Sequence, residues 1–135
     1  MMEMNEKIIE EFRANGGKIE GRSPNSDLLL LHTTAAKSGQ PRVNPLAVLP
    51  DGDRLVVIAS KGGASTHPDW YHNLVANPEV SVELGTEQFK ARATPTPEPE
   101  RTELFAKMVA INLGFAEYEQ KANRTIPVVT ITRMP

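Results

Sequence analysis

This chain has no cysteine, which removes disulfides, thiolate nucleophiles, cysteine-ligated metals and iron–sulfur clusters from consideration. Aromatics are scarce, at 5% of 135 residues with a single tryptophan, so each one sits where core area or a ligand calls for it. No apolar stretch approaches the roughly 20 residues that cross a bilayer, so no membrane insertion is expected. Residues 1–11 are acidic and lack the basic and apolar regions of a secretory leader, which makes the cytoplasm the expected compartment. An excess of positive charge is missing too. Fifteen Lys and Arg stand against 17 Asp and Glu, a net charge of −2, so no global basic field argues for nucleic acid as a partner. What remains, 39% hydrophobic and 24% charged, is the composition of an ordinary soluble domain. The length predicts one domain over residues 1–135.

Along the chain, Ile8, Ile9 and Phe12 share one helix face. They predict a short amphipathic helix over residues 3–15, closed by Gly16 and Gly17, so that residues 1–17 form an N-terminal helical segment. Its other face carries Glu rather than Lys and Arg, which argues against membrane contact. Residues 28–31 are a continuous apolar run followed by His32-Thr33-Thr34, as expected of a strand buried on both faces. Lys37-Ser38-Gly39-Gln40 supplies turn chemistry. Residues 43–49 resume as a strand interrupted by Pro45. Proline cannot donate to a ladder, so this stretch is an edge, a bulge or a place where a ligand replaces a neighbour.

A turn at residues 50–53 leads to a third strand over 55–59. Thr66 reads as the N-cap of a helix with Pro68 and Asp69 in its first turn, carrying Trp70, Tyr71, Leu74 and Val75 and stopping near Asn77-Pro78. Strands over 80–84 and 89–93 flank a turn at Gly85-Thr86. Pro95, Pro97 and Pro99 form a stiff connector, and Glu98 and Glu100 suit the positive N-terminus of a following helix. That helix holds Leu104, Phe105, Met108 and Val109. Gly114 breaks it, a shorter helical piece covers 115–122, and a last strand covers 126–131. Six short strands, mostly hairpin-linked, with helices outside them, predict a mainly β, α+β fold: a six-stranded antiparallel barrel with peripheral helices.

Two blocks carry the candidate chemistry. Lys37-Ser38-Gly39-Gln40-Pro41-Arg42-Val43-Asn44-Pro45 and Ser60-Lys61-Gly62-Gly63-Ala64 each set cations and turn glycines beside a strand end. Backbone N–H groups and cations together suit a bound anion. Lys37, Arg42 and Lys61 therefore read either as an anion clamp or as turn cations that serve solubility. His32, His67 and His72 are the only histidines, and no metal site is expected. His67 and His72 are five residues apart, a spacing that places them on different helix faces. Ser60 lacks the Gly-x-Ser-x-Gly elbow of a hydrolase nucleophile and reads better as a hydrogen-bond donor to a ligand. At least one of Trp70 and Tyr71 is expected to face the core. For Tyr118 two readings stand, a cap over a pocket or plain packing. No set of protein acids and bases stands out, so the chain reads as a holder for a polyanionic cofactor that brings its own chemistry.

The stretch His32-Thr33-Thr34, residues 37–45 and residues 60–73 with Asp69-Trp70-Tyr71-His72-Asn73, together with Arg124-Thr125-Ile126-Pro127-Val128-Val129, resembles the deazaflavin-dependent nitroreductase family. These are small split β-barrel proteins that use coenzyme F420. The resemblance implies a cofactor with a deazaflavin ring, a phosphodiester and an oligoglutamate tail. It places Lys37, Arg42 and Lys61 at the phosphate and acidic tail, and Asn44, Pro45 and Leu46 along the ring edge, with Ser38, Gly39 and Ala47 as further implied cofactor contacts. Ser60 and Lys61 close the other side of that pocket, Ala59, Gly62 and Gly63 are further implied cofactor contacts, and Trp70 and Asn73 fall on the helix that supports it. The implied substrate wall is Ala47, Asn112, Phe115 and Tyr118, with Ser60 and Tyr118 as hydrogen-bond donors to the acceptor.

The sequence also departs from the family. Ala35-Ala36-Lys37 stands where members often read Gly-Arg-Lys, Ala47 stands where an aromatic often follows, and only Tyr118 keeps a tyrosine of the C-terminal pocket. Reduction of bicyclic nitroimidazoles is therefore not carried over. The implied activity is hydride transfer from reduced coenzyme F420 (F420H2) to a conjugated, electron-poor small molecule: a quinone, an unsaturated lactone of the coumarin or furanocoumarin type, or a nitroaromatic. The alternatives are a non-catalytic F420 carrier and a split barrel that binds FMN or haem. Either a monomer or a homodimer fits the sequence.

Overall fold

A computed structural model of the protein describes residues 2–14, 28–59, 66–111, 114–122 and 125–134. Its elements run α1 (Met2–Ala14), β1 (Leu28–Thr34), β2 (Pro41–Ala47), β3 (Leu49–Asp51), β4 (Arg54–Ile58), α2 (Asp69–Ala76), β5 (Glu79–Leu84), β6 (Glu87–Pro95), α3 (Glu100–Ile111), α4 (Gly114–Ala122) and β7 (Val128–Arg133). The strands form one seven-stranded sheet in the order β2-β1-β5-β6-β7-β4-β3. Every neighbouring pair is antiparallel.

The expected count of six strands is corrected to seven, because the strand expected over residues 43–49 is divided. Its first part pairs with β1 at one edge of the sheet. Its last part, with Leu49 opposite Val56, pairs with β4 at the other edge. Only Val48 separates the two parts. One residue spans only about 3.3–3.6 Å, so the two edges of the sheet must approach each other, and the sheet curls into a split-barrel-like form. Pro41, Pro45 and Pro50 all lie in these two edge strands, where one side of the backbone has no ladder partner to lose.

Curling gives the sheet an inside and an outside, and strand alternation sorts the side chains. Leu29, Leu31, Val57, Ala59, Val80, Val82, Ala91, Ala93, Val129 and Ile131 meet inside, where Trp70 and Leu74 of α2 plug the end. Outside, Leu28 and Leu30 pack with Phe12 of α1, while Val56, Ile58 and Val128 pack under Leu104, Phe105 and Met108 of α3. The uninterrupted run at residues 28–31 is thereby explained, since both of its faces are covered. Phe12, buried to 1% exposure, anchors α1, and burial of a side chain of this size contributes about 1.5–3 kcal/mol. The partly buried Ile8 and Ile9 lie beside it, which confirms the expected helix face; Gly16 and Gly17 lie outside the described residues.

The expected cap of α2 is corrected. Pro68, not Thr66, holds the N-cap position, with extended backbone at φ −68° and ψ 155° and no side-chain cap. Proline at that point keeps the chain extended through residue 68, and its carbonyl accepts the Tyr71 N–H at 3.0 Å. The acidic residues expected at the start of α3 behave as charge at a helix N-terminus predicts. The Glu98 carboxylate accepts from the Thr102 N–H at 2.9 Å and from its hydroxyl.

Two ionic clasps tie helices to the sheet. Arg54 donates to Asp51 at 2.9 Å and to both oxygens of Glu100 at 3.3 and 2.7 Å, joining the β3–β4 hairpin to α3. Arg13 of α1 donates to both oxygens of Glu83 at 3.1 and 2.8 Å, and His32 Nε2 lies 2.5 Å from the same carboxylate. The hydrogen bonds from Arg54 hold the carboxyls of Asp51 and Glu100 below their ordinary range. For Glu83 the bonds from Arg13 dominate, opposed by burial and assisted by His32, and the direction is again downward.

A carboxyl whose folded pKa is depressed adds stability above its ordinary pKa and loses it as pH falls through the folded value. Stability is therefore expected to be flat from neutral pH down to about pH 4.5 and to fall below that. Urea midpoints measured from pH 7 to pH 3 check this. Glu83→Gln should show the shallower acid decline, and a curve parallel to that of the unsubstituted protein would remove Glu83 as a cause.

Candidate cofactor cleft

The first candidate block forms a hairpin turn between β1 and β2, in a register that sets Thr34 opposite Pro41. The turn is closed by Ala35 N–H to the Gln40 carbonyl at 2.8 Å and by Gly39 N–H to the Ala35 carbonyl at 3.0 Å. The Ser38 hydroxyl accepts from the Gln40 N–H at 3.2 Å. Gly39 has φ +71° with open space where a Cβ would stand. A side chain there is disfavoured by backbone geometry rather than by crowding.

Asn73 of α2, nearly buried, fixes this turn. Its Oδ1 accepts from the Ala36 N–H at 3.0 Å and its Nδ2 donates to the Thr33 hydroxyl at 3.3 Å. Four residues on, Asn77 Nδ2 reaches the Thr34 carbonyl at 3.4 Å. The helix, through Asn73, and its C-cap residue Asn77 thus hold the turn and the strand end.

Between the turn, β2 and α2 lies an open cleft of about 440 Å³, whose wall includes Lys37, Ser38, Arg42, Asn44 and Asn73. Arg42 and Asn44 alternate onto the same face of β2 as Leu46, which continues into the interior core. Arg42 donates to its neighbouring Pro41 carbonyl at 3.2 Å. Among the described residues neither Lys37 nor Arg42 enters an ion pair, whereas Arg13, Arg54, Arg101 and Arg133 all do. Two exposed cations without a carboxylate partner, beside small residues and an anchored turn, form a cradle suited to an extended anion.

The remaining expected residues fall elsewhere. Pro45 and Ala47 alternate to the other face of β2, where Ala47 packs against both outer clusters. Tyr118 of α4 packs against the same α3-side cluster as Ala47. Because β2 is an edge strand, a ligand crossing its edge reaches both faces, Arg42 and Asn44 on one side and Pro45 and Ala47 on the other. Ala59 is fully buried in the interior, with its N–H on the Pro127 carbonyl at 3.0 Å. Trp70 is 6% exposed and belongs to the core, as expected for one of the two adjacent aromatics. Ser60, Lys61, Gly62, Gly63 and Asn112 lie outside the described residues. Phe115 lies in α4, and its side chain is likewise outside them.

Residues 5–133 match the family described as F420H(2)-dependent quinone reductase. The chain belongs to this family. It is 40% identical over 126 residues to an F420H(2)-dependent quinone reductase of Mycobacterium tuberculosis, covering 90% of this chain and 85% of the relative. Among solved structures it is similar to an F420-H2 dependent reductase, FDR-A, at 37% identity and TM-score 0.71, over 77% of this chain and 92% of that one. A second structure, described as a domain-swapped dimer, is 34% identical with TM-score 0.73, over 93% and 92% of the two chains. The resemblance carried by the two sequence blocks is thus borne out at the level of the family.

Four lining residues were not singled out by the sequence as ligand contacts: Ala35, Ala36, Asp69 and His72. The alanines carry no chemical signal of their own. Asp69 read as a first-turn acid of the helix, a role it does hold, and its place on the cleft follows only from how α2 docks. The expectation that His67 and His72 occupy different helix faces is corrected. His67 precedes the helix, so the spacing rule does not apply, and its ring lies 4.9 Å from Tyr71 and 5.8 Å from His72. Among the described residues no group of three metal-ligating side chains occurs, and no helix is long and apolar enough to cross a membrane.

Proposed function

We propose that this F420H(2)-dependent reductase holds the phosphodiester and acidic tail of coenzyme F420 in the Lys37–Arg42 cleft and delivers the hydride to a quinone. The observation that carries the reading is the pair of exposed cations, in no ion pair among the described residues, on and beside a turn anchored by Asn73, in a chain of this family. The donor set fits such a group. Lys37 offers a point charge and Arg42 a planar fork for phosphate or carboxylate, and the small Ser38 and Gly39 leave room at the turn. When bound, the reduced deazaflavin supplies a hydride from C5 and gives up a proton, which together convert a quinone to its hydroquinone.

The chain's own residues bind, orient and exclude. Asn73 holds the turn so that Lys37 and Arg42 are presented together before the cofactor arrives, which lowers the ordering cost of binding. Asn44 and Leu46 on one face of β2, and Pro45 and Ala47 on the other, flank the edge along which the ring is placed. Tyr118 and Ser60, the latter outside the described residues, are the donors assigned to the acceptor oxygen as negative charge develops there. A quinone is the first acceptor class to test; unsaturated lactones and nitroaromatics are the further classes to screen. The cytoplasm is the compartment proposed, and a homodimer is the assembly to test, because a similar solved structure is described as a domain-swapped dimer.

Fluorescence titration with oxidised coenzyme F420, with FMN in parallel, tests the binding half. Saturation at micromolar F420 with weaker FMN is expected. Tighter FMN binding would overturn it. Return of F420 fluorescence on mixing the reduced form with menadione tests the hydride step, and binding without turnover would reassign the chain as a carrier.

A further inference from the structure

We infer that Arg101 and Glu119 are positioning residues for the acceptor side of the site. They set the rotation of α4 about its axis and with it the direction of Tyr118. This inference rests on the acceptor wall proposed above.

Arg101 is 8% exposed and stands in the first turn of α3. Its guanidinium makes four contacts. Nε and Nη2 both donate to the Ile126 carbonyl, at 3.0 and 2.7 Å. Nη2 also pairs with Glu119 of α4. The Phe105 ring lies under its Cζ at 4.7 Å. Glu119 closes the circuit, because the same carboxylate oxygen accepts the Ile126 N–H at 3.3 Å. One backbone residue at the entry to β7 is therefore gripped at its carbonyl by Arg101 and at its N–H by Glu119, while the two side chains grip each other. Three elements meet there: α3, α4 and the chain entering β7.

A cation and a carboxylate are not needed merely to fill this space. Apolar side chains of similar volume often do as well or better. What the clasp adds is direction. Successive residues of a helix are offset by about 100°, so fixing the azimuth of Glu119 fixes that of Tyr118, its neighbour. Tyr118 in turn packs on the cluster of Val56, Ile58, Leu104 and Met108 that also receives Ala47 of the edge strand β2. The chain of contacts runs from a buried guanidinium, through one carboxylate, to the residue assigned to face the acceptor. No part of it reaches the Lys37–Arg42 cleft on the other face of β2, so the clasp is expected to act on the acceptor and not on the cofactor tail.

The test uses the full chain with Glu119→Ala, Glu119→Gln and Arg101→Lys. Glu119 is 34% exposed at its side chain, so its removal leaves a foldable protein. Hydrogen exchange read on residues 114–122 is expected to accelerate about fivefold or more in Glu119→Ala, with the sheet unchanged. The dissociation constant for oxidised F420 should stay within about twofold, while KM for menadione rises about three- to tenfold and kcat falls less. Glu119→Gln, which retains an oxygen acceptor, should lie between, and Arg101→Lys, which lacks the fork, should resemble Glu119→Ala.

Unchanged exchange in α4 would show that the clasp does not hold it. Faster exchange with unchanged KM for menadione, or equal losses of cofactor and acceptor affinity, would reduce the pair to a structural tie. If the unsubstituted protein binds F420 but turns over no quinone, the acceptor reading itself has failed. That outcome is read in the parent protein and not in the variants.

Discussion

Arg42→Ala is expected to weaken binding of oxidised coenzyme F420 by about 1.5–3 kcal/mol, roughly ten- to a hundredfold in dissociation constant. The argument is geometric and electrostatic. Arg42 lies on the cleft wall, and among the described residues its guanidinium has no carboxylate partner, only its neighbouring carbonyl. An incoming phosphate or carboxylate therefore gains a charge-assisted, bidentate contact without displacing an existing ion pair. Arg42→Lys should recover only part of the affinity, since a point charge does not reproduce the fork. Lys37→Ala should cost less than Arg42→Ala for the same reason. All of these losses should shrink at high salt, because the cleft is open and its charges are screened. Fluorescence titration at two ionic strengths measures the set, and unchanged affinity in Arg42→Ala would remove the anion clamp from the site.

Arg101→Ala is expected to destabilise the fold by about 3–5 kcal/mol. It deletes the two donor groups that Arg101 places on the Ile126 carbonyl and leaves the Glu119 carboxylate half-buried without its guanidinium partner. For a chain of this length such a loss lowers the melting temperature by more than about 10 °C. Thermal unfolding followed by circular dichroism measures it. Arg101→Met, which fills the space without a charge, should be less harmful than Arg101→Ala if unpaired groups rather than lost packing are the main cost. The reverse order would assign the loss to packing.

The proposed cofactor cleft was legible in the sequence to the extent that its residues are neighbours along the chain. Lys37, Ser38, Arg42 and Asn44 sit on one hairpin and line one cleft wall, so turn chemistry and alternation were enough to group them. Pro45 narrowed its strand to an edge, a bulge or a ligand-facing stretch, because proline cannot donate to a ladder, and the edge is the alternative the sheet order selects. The proposed acceptor side was much less legible. Ala47 and Tyr118 are far apart in sequence and meet only through a shared cluster, and nothing local marks Glu119 or Arg101 as a pair. His67 was misplaced because a helix spacing was applied to a residue outside the helix.

The amino-acid pattern alone determined the mainly β class with outer helices, the covering of both faces of β1, the turn that carries Lys37 and Gly39, and the exclusion of cysteine chemistry. These follow from local rules: periodicity, backbone stereochemistry and what a missing side chain cannot do. The tertiary structure alone decided that the strand after Arg42 changes partner at Val48 and joins the two edges of the sheet. It also decided that Asn73 reaches across to hold the turn at Ala36, and that a buried arginine locks α4 to the entry of β7. Each of these depends on which distant segments the curl of the sheet brings within hydrogen-bonding distance. No local pattern encodes that proximity, because it arises only when all seven strands are in register.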